Sequence, residues 1–502
     1  NQGSYAPVVQ LVAPIKLQVA VVNGSYKPSE KTKISFEASG SKNDLNLFSN
    51  SDDNNNDGFA GKININQTLV KKDSLWNMDV YIDSDYISAE YRNIEGLYNP
   101  EFNRDWNLDL NNVRGIGLNL GNQMLFNSGF RMFHQTKGTL NYQFEHLNFS
   151  DGFNGNRHIA QANLLLNKFN ILSSSSFLNT ESNINTSTFL RSYNRFTYSM
   201  KKSWIGSRIA IEDNEQRNIA TQELTPLSQR FKSYEIFVGL GDSTKIFTEI
   251  GYKNRVNDSI KNNQLQKVNT SNTFYLDSRI IQNKNTNLSL YANYRTLKNT
   301  DKTIEDENSI NSRLQFNQKL FKQIIQWNTI FETNSGRLPQ QDFTYVEVEA
   351  GQGTYTWNDY NENGIQELEE FEIAQFQDQG RFIRVLLPNL VFIKTHQNRL
   401  SQTLTFNPSQ WSVSENKSKQ FWSHFYNQTS YLIDRKIKRE GSRFNLNPFN
   451  TSEEDQLGLQ LNFRNVLFFN RGKQRYTTSY TFLDNTTRQV LSVGFIENSL
   501  KS

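Results

Sequence analysis

The sequence predicts an all-β protein: a large antiparallel transmembrane β-barrel, on the order of 20 strands, with a long acidic loop inserted late in the chain. Three observations predict it. Apolar and polar residues alternate with period two over many segments of roughly nine to fifteen residues, and turns rich in Asn, Asp, Gly and Ser separate them. Aromatics are abundant, with 36 Phe and 21 Tyr, in a chain that is polar overall. A disordered chain is poor in aromatics, and a helical membrane protein needs a run of about 18 apolar residues that this chain lacks. Acids and bases also stand in mid-strand opposite the apolar positions, as a strand with one wet and one greasy face requires.

Composition narrows the function classes. Lys+Arg number 54 and Asp+Glu 50, a formal charge of +4, too balanced to imply a nucleic-acid partner. There is no Cys, which excludes disulfides and thiol chemistry. The chain starts at Asn1 without Met, and strand-like alternation runs to Phe495 near the final Ser502. A cleaved start or a piece of a longer protein is expected.

In chain order, residues 1–31 form an N-terminal segment. Its broken apolar run, Val8–Val22, is interrupted by Pro14 and Lys16 and suits a plug-like or edge strand. Barrel strands are expected over 32–338. Trp76, Met78, Val80 and Ile82 face one way, and Asn77, Asp79, Tyr81 and Asp83 the other. Ile116, Leu118 and Leu120 alternate with Gly115, Gly117 and Asn119. Ile236, Val238 and Leu240 lead into the turn Gly241-Asp242-Ser243, and Ile246 and Ile250 return. These five are expected on a lipid-facing surface, with Glu235, Glu249 and Lys253 on the wetter one. Residues 386–502 resume the pattern, for example with Leu457, Leu459, Leu461 and Phe463. Three polar breaks interrupt it, at 214–230, 338–385 and 434–452, the last beginning with the basic run Arg435–Arg439. That run reads as a solvated charged loop, with anionic lipid headgroups as the alternative.

The inserted loop, 339–385, carries the one constellation with metal-ligand spacing. Asp359, Asn361 and Asn363 stand at every second position, Gly364 is sixth, Ile365 seventh, Glu367 ninth and Glu370 twelfth. That is the pattern of a calcium loop: side-chain oxygens from the first three, a bend at Gly, the Ile365 carbonyl, Glu367 directly or through water, and both oxygens of Glu370. Two Asn in place of Asp lower its charge, so modest affinity is expected. A short helix is expected near Ile365–Phe376. The alternative is an Asn/Gly turn leading into an acidic helix start. A second acidic turn sets Asp53, Asn55 and Asp57 before Gly58, but its twelfth position is Asn64, which lacks a two-oxygen clasp. It reads first as a hairpin loop.

The five His, at 134, 146, 158, 396 and 424, form no metal pair at helical spacing and accompany no nucleophile motif. Gly115-Ile-Gly117 lacks the strand–helix context of a dinucleotide site. No enzymatic activity is expected.

Phe102-Asn-Arg-Asp-Trp-Asn-Leu108, Tyr355-Thr-Trp-Asn-Asp-Tyr-Asn361 and the Asn/Ser/Gln-rich strands resemble large outer-membrane proteins of the Bacteroidota. The resemblance is to an uncharacterised group with an acidic Asp-Tyr-Asn-x-x-Gly-Ile-Gln-x-Leu-x-Glu-Phe-Glu element, matched by residues 359–372. It implies the cell outer membrane, with outer-membrane lipid and other envelope proteins as partners, in a complex for secretion, barrel assembly or uptake. It carries no assigned activity. The runner-up is a soluble, calcium-stabilised β-rich surface or adhesion protein. Asp73-Ser74-Leu75, Asp242-Ser243-Thr244 and Asp258-Ser259-Ile260 are also similar to the short O-glycosylation signal of these bacteria, though Asp-Ser is ordinary turn chemistry.

Overall fold

A computed structural model describes residues 13–502 apart from 50, 52, 73–74, 95–97, 99–100, 109–120, 361–363, 365, 368–369, 440, 442, 451–455, 473–474 and 492–493. The strand expected around Ile116–Leu120 and the Asp73-Ser74 pair lie outside the described residues. The fold class is the expected one: a large antiparallel, barrel-like all-β chain with the acidic stretch inserted between two long strands. No helix among the described residues is long and apolar enough to cross a membrane. The chain forms two compact units, residues 1–240 with 251–273 and 297–306, and the remainder.

Unit 1 is an up-and-down meander. Its strands are β1 (Lys16–Ser29), β2 (Thr32–Asp44), β3 (Asp57–Val70), β4 (Asn77–Ile87), β5 (Gln123–His134), β6 (Gly138–Phe149), β7 (Phe153–Leu166), β8 (Phe169–Ser182), β9 (Asn185–Ser199), β10 (Ser203–Asn218) and β11 (Gln229–Gly241). Each pairs antiparallel with the next. The early apolar run enters β1 from Lys16 to Val22, paired along β2, while its residues 8–12 lie outside the described residues. Because the meander is regular, alternate connections share an end. The connections β2–β3, β4–β5 and β10–β11 leave the strands at one end, and the tight turns 30–31, 135–137 and 167–168 lie at the other.

Register sorts the side chains into two faces, because neighbours across a ladder share a face. One row runs Ile171, Phe196, Ser207, Ile236. The opposite face carries Asp79 against Arg131, Glu145 against Arg157, and Arg208 against Glu235. The apolar face also gives way to polar residues partway along the strands. On β8, Phe169, Ile171 and Phe177 give way to Asn179 and Glu181. On β10, Ile205, Ile209 and Ile211 give way to Asp213, Glu215 and Arg217. Phe169 to Phe177, with Ser173 and Ser175 between, is about 26 Å of strand at 3.3 Å per residue.

Between β4 and β5 the short helix α1 (Phe102–Asp105) and Trp106 fold onto the polar face. Phe102 and Trp106 are buried against Leu147, Phe149, Leu178 and Phe189. Burying such side chains contributes about 1.5–3 kcal/mol each. Ions fasten the segment. Asp105 pairs with Arg191 at 2.7 Å and Arg157 at 3.3 Å, and Arg104 with Glu212 at 3.4 Å. Asn107 and Asn214 exchange two hydrogen bonds of 2.9 Å.

The strands β12 (Phe247–Lys261), β13 (Gln264–Gln282) and β14 (Thr286–Asn299) follow. Unit 2 contains β15 (Glu307–Leu320), β16 (Ile325–Glu347), β17 (Tyr355–Trp357), β18 (Phe371–Ile373), β19 (Phe382–Phe406), the helix α2 (Lys417–Trp422), β20 (Phe425–Lys438), β21 (Gln456–Phe469), β22 (Thr478–Leu491) and β23 (Gly494–Lys501). Phe331, Leu400, Ile433 and Leu461 form one cross-strand row, and Glu332, Arg399 and Asp434 the neighbouring row on the opposite face. α2 is capped by the Asn416 side chain, which accepts from the Ser418 amide at 2.9 Å. It presents Phe421 and Trp422 to solvent beside Phe425 and Phe469, an aromatic cluster at a strand end.

Several expected boundaries move. The break at 214–230 shrinks to 219–228, because β10 runs through Asn218. The second acidic turn is no twelve-residue loop: Asp57 already begins β3, and Asn64 lies within it, donating to Asp83. Asp258 sits inside β12, not in a turn, and accepts from Arg230 at 2.6 Å. The basic run is no solvated loop. Arg435 to Lys438 are in β20, and Arg435 is 2% exposed. It donates to the Asn447 carbonyl at 2.9 Å, and Asn398 donates to the Asn445 carbonyl at 2.6 Å. A strap of residues 444–449 therefore lies over this end of β19 and β20, with Phe444 against His396 and Phe449 against Tyr431.

The inserted region is also more regular than its composition suggests. β16 and β19 pair from Ile325↔Phe406 to Glu347↔Phe382. β15 accompanies β16 only to Asn334, and β20 accompanies β19 only to Thr395. Residues 338–347 and 382–393 therefore form a two-stranded arm, roughly 30 Å long at 3.3 Å per residue. The loop proper is 348–381. Where the helix near Ile365–Phe376 was expected, Phe371–Ile373 is strand β18, paired with β17. Stacking explains the difference: the Phe371 ring lies 4.1 Å from that of Tyr345 and 5.0 Å from that of Phe382 on the arm. Those contacts hold the chain extended, where a helix would turn Phe371 away.

Candidate functional site

The acidic loop sits at the tip of the arm. The β17–β18 hairpin pairs Trp357, two residues before Asp359, with Phe371, the residue after Glu370. Glu370 is 4% exposed. Its Oε2 accepts from the Trp357 indole N–H at 2.8 Å and from the Glu367 amide at 3.4 Å. Its Oε1 is buried with no hydrogen-bond partner among the described residues. The Glu370 amide donates to the Glu367 carbonyl at 3.1 Å, and the Asn358 amide to the Glu370 carbonyl at 3.0 Å. At the start of the loop, Asp359 Oδ2 accepts from the Gly364 amide at 2.8 Å. Gly364 has φ +69°, a conformation that suits Gly, and no atom crowds the place of a Cβ. Tyr360, the second residue of the twelve, donates to Glu372 at 2.6 Å, which pushes the Tyr360 hydroxyl pKa up.

These contacts bear on the calcium pattern unequally. Asp359 meets the Gly364 amide and Glu370 the Glu367 amide, two separate contacts within the loop. Asn361, Asn363 and Ile365 lie outside the described residues. No three acidic or His side chains among the described residues converge on one point. The donor chemistry still suits a hard cation, since a buried carboxylate oxygen without a partner is costly and an oxygen-seeking ion compensates it. The indole bond to Glu370 was not foreseen. Its signal was Trp357, two positions before the loop.

The five His are dispersed. His134 Nδ1 accepts from the Thr136 and Lys137 amides, His146 bonds Asn156, His158 bonds Tyr142, His396 bonds Thr333 and His424 bonds Asn470. What the sequence reading missed is on the polar face of unit 1. There, side chains of β6 to β12 line a cavity of about 500 Å³ that includes Arg195, Arg208, Glu235 and Lys253. Single strands show these charges only as the polar half of an alternation.

No family model and no curated protein matches the chain. Among solved structures it is similar to the siderophore receptor PirA from Pseudomonas aeruginosa, with TM-score 0.34, 6% identity, and coverage of 95% of this chain and 77% of that one. OccK8 (OprE) from Pseudomonas aeruginosa gives 0.25 and 6% over 97% and 98%. The copper transporter OprC gives 0.28 and 8% over 97% and 73%. At such scores and identities the likeness adds nothing to the class that the strands define, a large antiparallel barrel-like β-protein.

Proposed function

We propose that this chain is a non-enzymatic, membrane-spanning β-barrel element of the cell outer membrane and a subunit of a larger envelope complex for secretion, barrel assembly or uptake. The observation that carries the membrane reading is the inverted distribution of side chains on β11 and β12. Ile236 is 64% and Val238 50% exposed, while Glu235 and Glu249 are 8% and 7% exposed. A soluble protein buries the first kind and exposes the second. Lipid removes the cost of the exposed apolar belt, and a wet interior removes the cost of the charges. The complex reading is supported by the arm, which carries an acidic loop beyond the neighbouring strands. The non-enzymatic reading fits the way acids and bases of the polar face neutralise one another, as Asp105, Arg157 and Glu145 do.

Calcium is the proposed ion of the loop. Asp359, Asn361, Asn363, the Ile365 carbonyl, Glu367 and Glu370 would hold it, and its work would be to offset repulsion among the acids and fix the tip of the arm. The Oε1 of Glu370, buried without a hydrogen-bond partner among the described residues, supports this.

Detergent dependence tests the membrane reading. The full chain is expected to stay monodisperse only in detergent or lipid. Monodisperse behaviour in plain buffer would refute the barrel and favour a soluble, calcium-stabilised surface protein.

A further inference from the structure

We propose that the polar face of unit 1 binds a small organic anion between Arg195, Arg208 and Lys253. The side chains Thr139, Asn163, Leu172, Arg195, Arg208 and Glu235 follow one another across β6 to β11, each directly opposite the next. Two arginines thus stand opposite each other, an arrangement that costs free energy unless an anion answers it. Glu235 answers only one of them: it pairs with Arg208. Arg195 and Lys253 have no carboxylate within ion-pair distance among the described residues.

Phe237 holds the arginines in place. Its ring lies over Gly206, where a Cβ would come within 2.4 Å of it. The Arg208 and Arg195 guanidinium carbons lie 4.4 and 5.0 Å from the ring centroid. Both guanidinium groups are thus held against one buried ring, so less side-chain freedom is lost when a ligand binds. The cavity beside them, about 500 Å³, contains three cations and one carboxylate. Leu172 and Tyr193 give it an apolar and an aromatic wall, and Asn163 a neutral hydrogen-bonding group.

The ligand that fits is an oxyanion on a small body. A carboxylate would accept from the planar fork of Arg195 and from the Lys253 ammonium, and a ring or short chain would rest against Leu172 and Tyr193. This site is independent of the calcium loop and of the envelope partners.

Calorimetry on the full chain in detergent tests it, with benzoate and its uncharged analogue benzamide as probes. Benzoate is expected to bind at least about tenfold more tightly than benzamide, and Arg195→Gln to lose about that factor. Arg195→Lys should keep most of the affinity. Glu235→Gln removes the competing carboxylate and should tighten benzoate several-fold. If Arg195→Gln fails to fold by circular dichroism, Glu235→Gln carries the decision. No benzoate binding by the parent chain, equal binding of both probes, unchanged affinity in folded Arg195→Gln, or no gain in Glu235→Gln would overturn the proposal.

Discussion

Arginine placed on the outward face should be costly at Val238 and nearly free at Asn179. On β11 the outward apolar run is Tyr234, Ile236, Val238 and Leu240, about 20 Å of strand. Val238 lies one residue from its middle, about 3 Å, so an arginine there meets the full midplane penalty of about 2–4 kcal/mol. Asn179 is on the outward face of β8, two residues beyond Phe177 and about 7 Å past the last apolar position. An arginine there should cost about 0–1 kcal/mol, as at a membrane interface. Both positions are exposed, so a water-soluble sheet would tolerate both substitutions within about 0.5 kcal/mol. The assay is urea unfolding of the parent, Val238→Arg and Asn179→Arg chains folded into the same lipid vesicles, followed by tryptophan fluorescence. The difference between the variants matters, since it cancels the general effect of a longer side chain. If they unfold at the same urea concentration, no lipid belt runs across unit 1.

Other predictions concern the loop, the inserted helix and one turn. Glu370→Gln should weaken calcium binding most among the loop variants, because it removes a charge and one end of a two-oxygen clasp; identical calorimetric isotherms for parent and variant, or none for either, would end the metal reading. Protease should cut 348–381 faster with chelator than with calcium, and equal rates would count against an ion ordering the tip. Trp106→Ala should destabilise unit 1 by about 3–5 kcal/mol in urea unfolding, since the ring is 2% exposed within the α1 cluster. Asp242 accepts from the Thr244 hydroxyl at 2.7 Å and the Thr244 amide at 3.0 Å, which holds its pKa below the usual carboxylate range. A depressed pKa stabilises the turn above the unfolded value and loses that contribution as pH falls through the folded one. Exchange of the Thr244 amide should therefore quicken only in acid, and Thr244→Val should move that onset upward.

The alternation was legible because it is a property of single strands. Met78, Val80 and Ile82 need nothing beyond their own spacing to share a face, and the structure puts them on one. Where pairing is made by backbone alone, side-chain rhythm is a poor guide. The arm shows this: the pattern fades after Leu338, yet the ladder continues to Glu347↔Phe382, because N–H and C=O groups pair whatever the side chains are. The acidic loop was legible as spacing, but its setting was not. That Glu370 is clasped by Trp357 depends on the β17–β18 register, and that register depends on Phe371 meeting Tyr345 across the arm.

Long-range polar contacts were the least legible, and there is a physical reason. In sequence Arg435 and Arg439 look like solvent-facing charges, because lone cations are rarely buried. Burial becomes tolerable only when distant carbonyls accept hydrogen bonds from their N–H groups. Asn447 supplies one to Arg435 and Asn308 one to Arg439, while Phe444 stacks under Arg439 with its ring centroid 4.9 Å away. Asp105 is the same case in unit 1. Its two partners, Arg157 and Arg191, lie on β7 and β9, and only a sheet register that sets those strands either side of β8 brings both to one carboxylate. A charge that looks solvated in one strand is thus a fastening point in the sheet. Period-two spacing assigns its face but cannot name its partner.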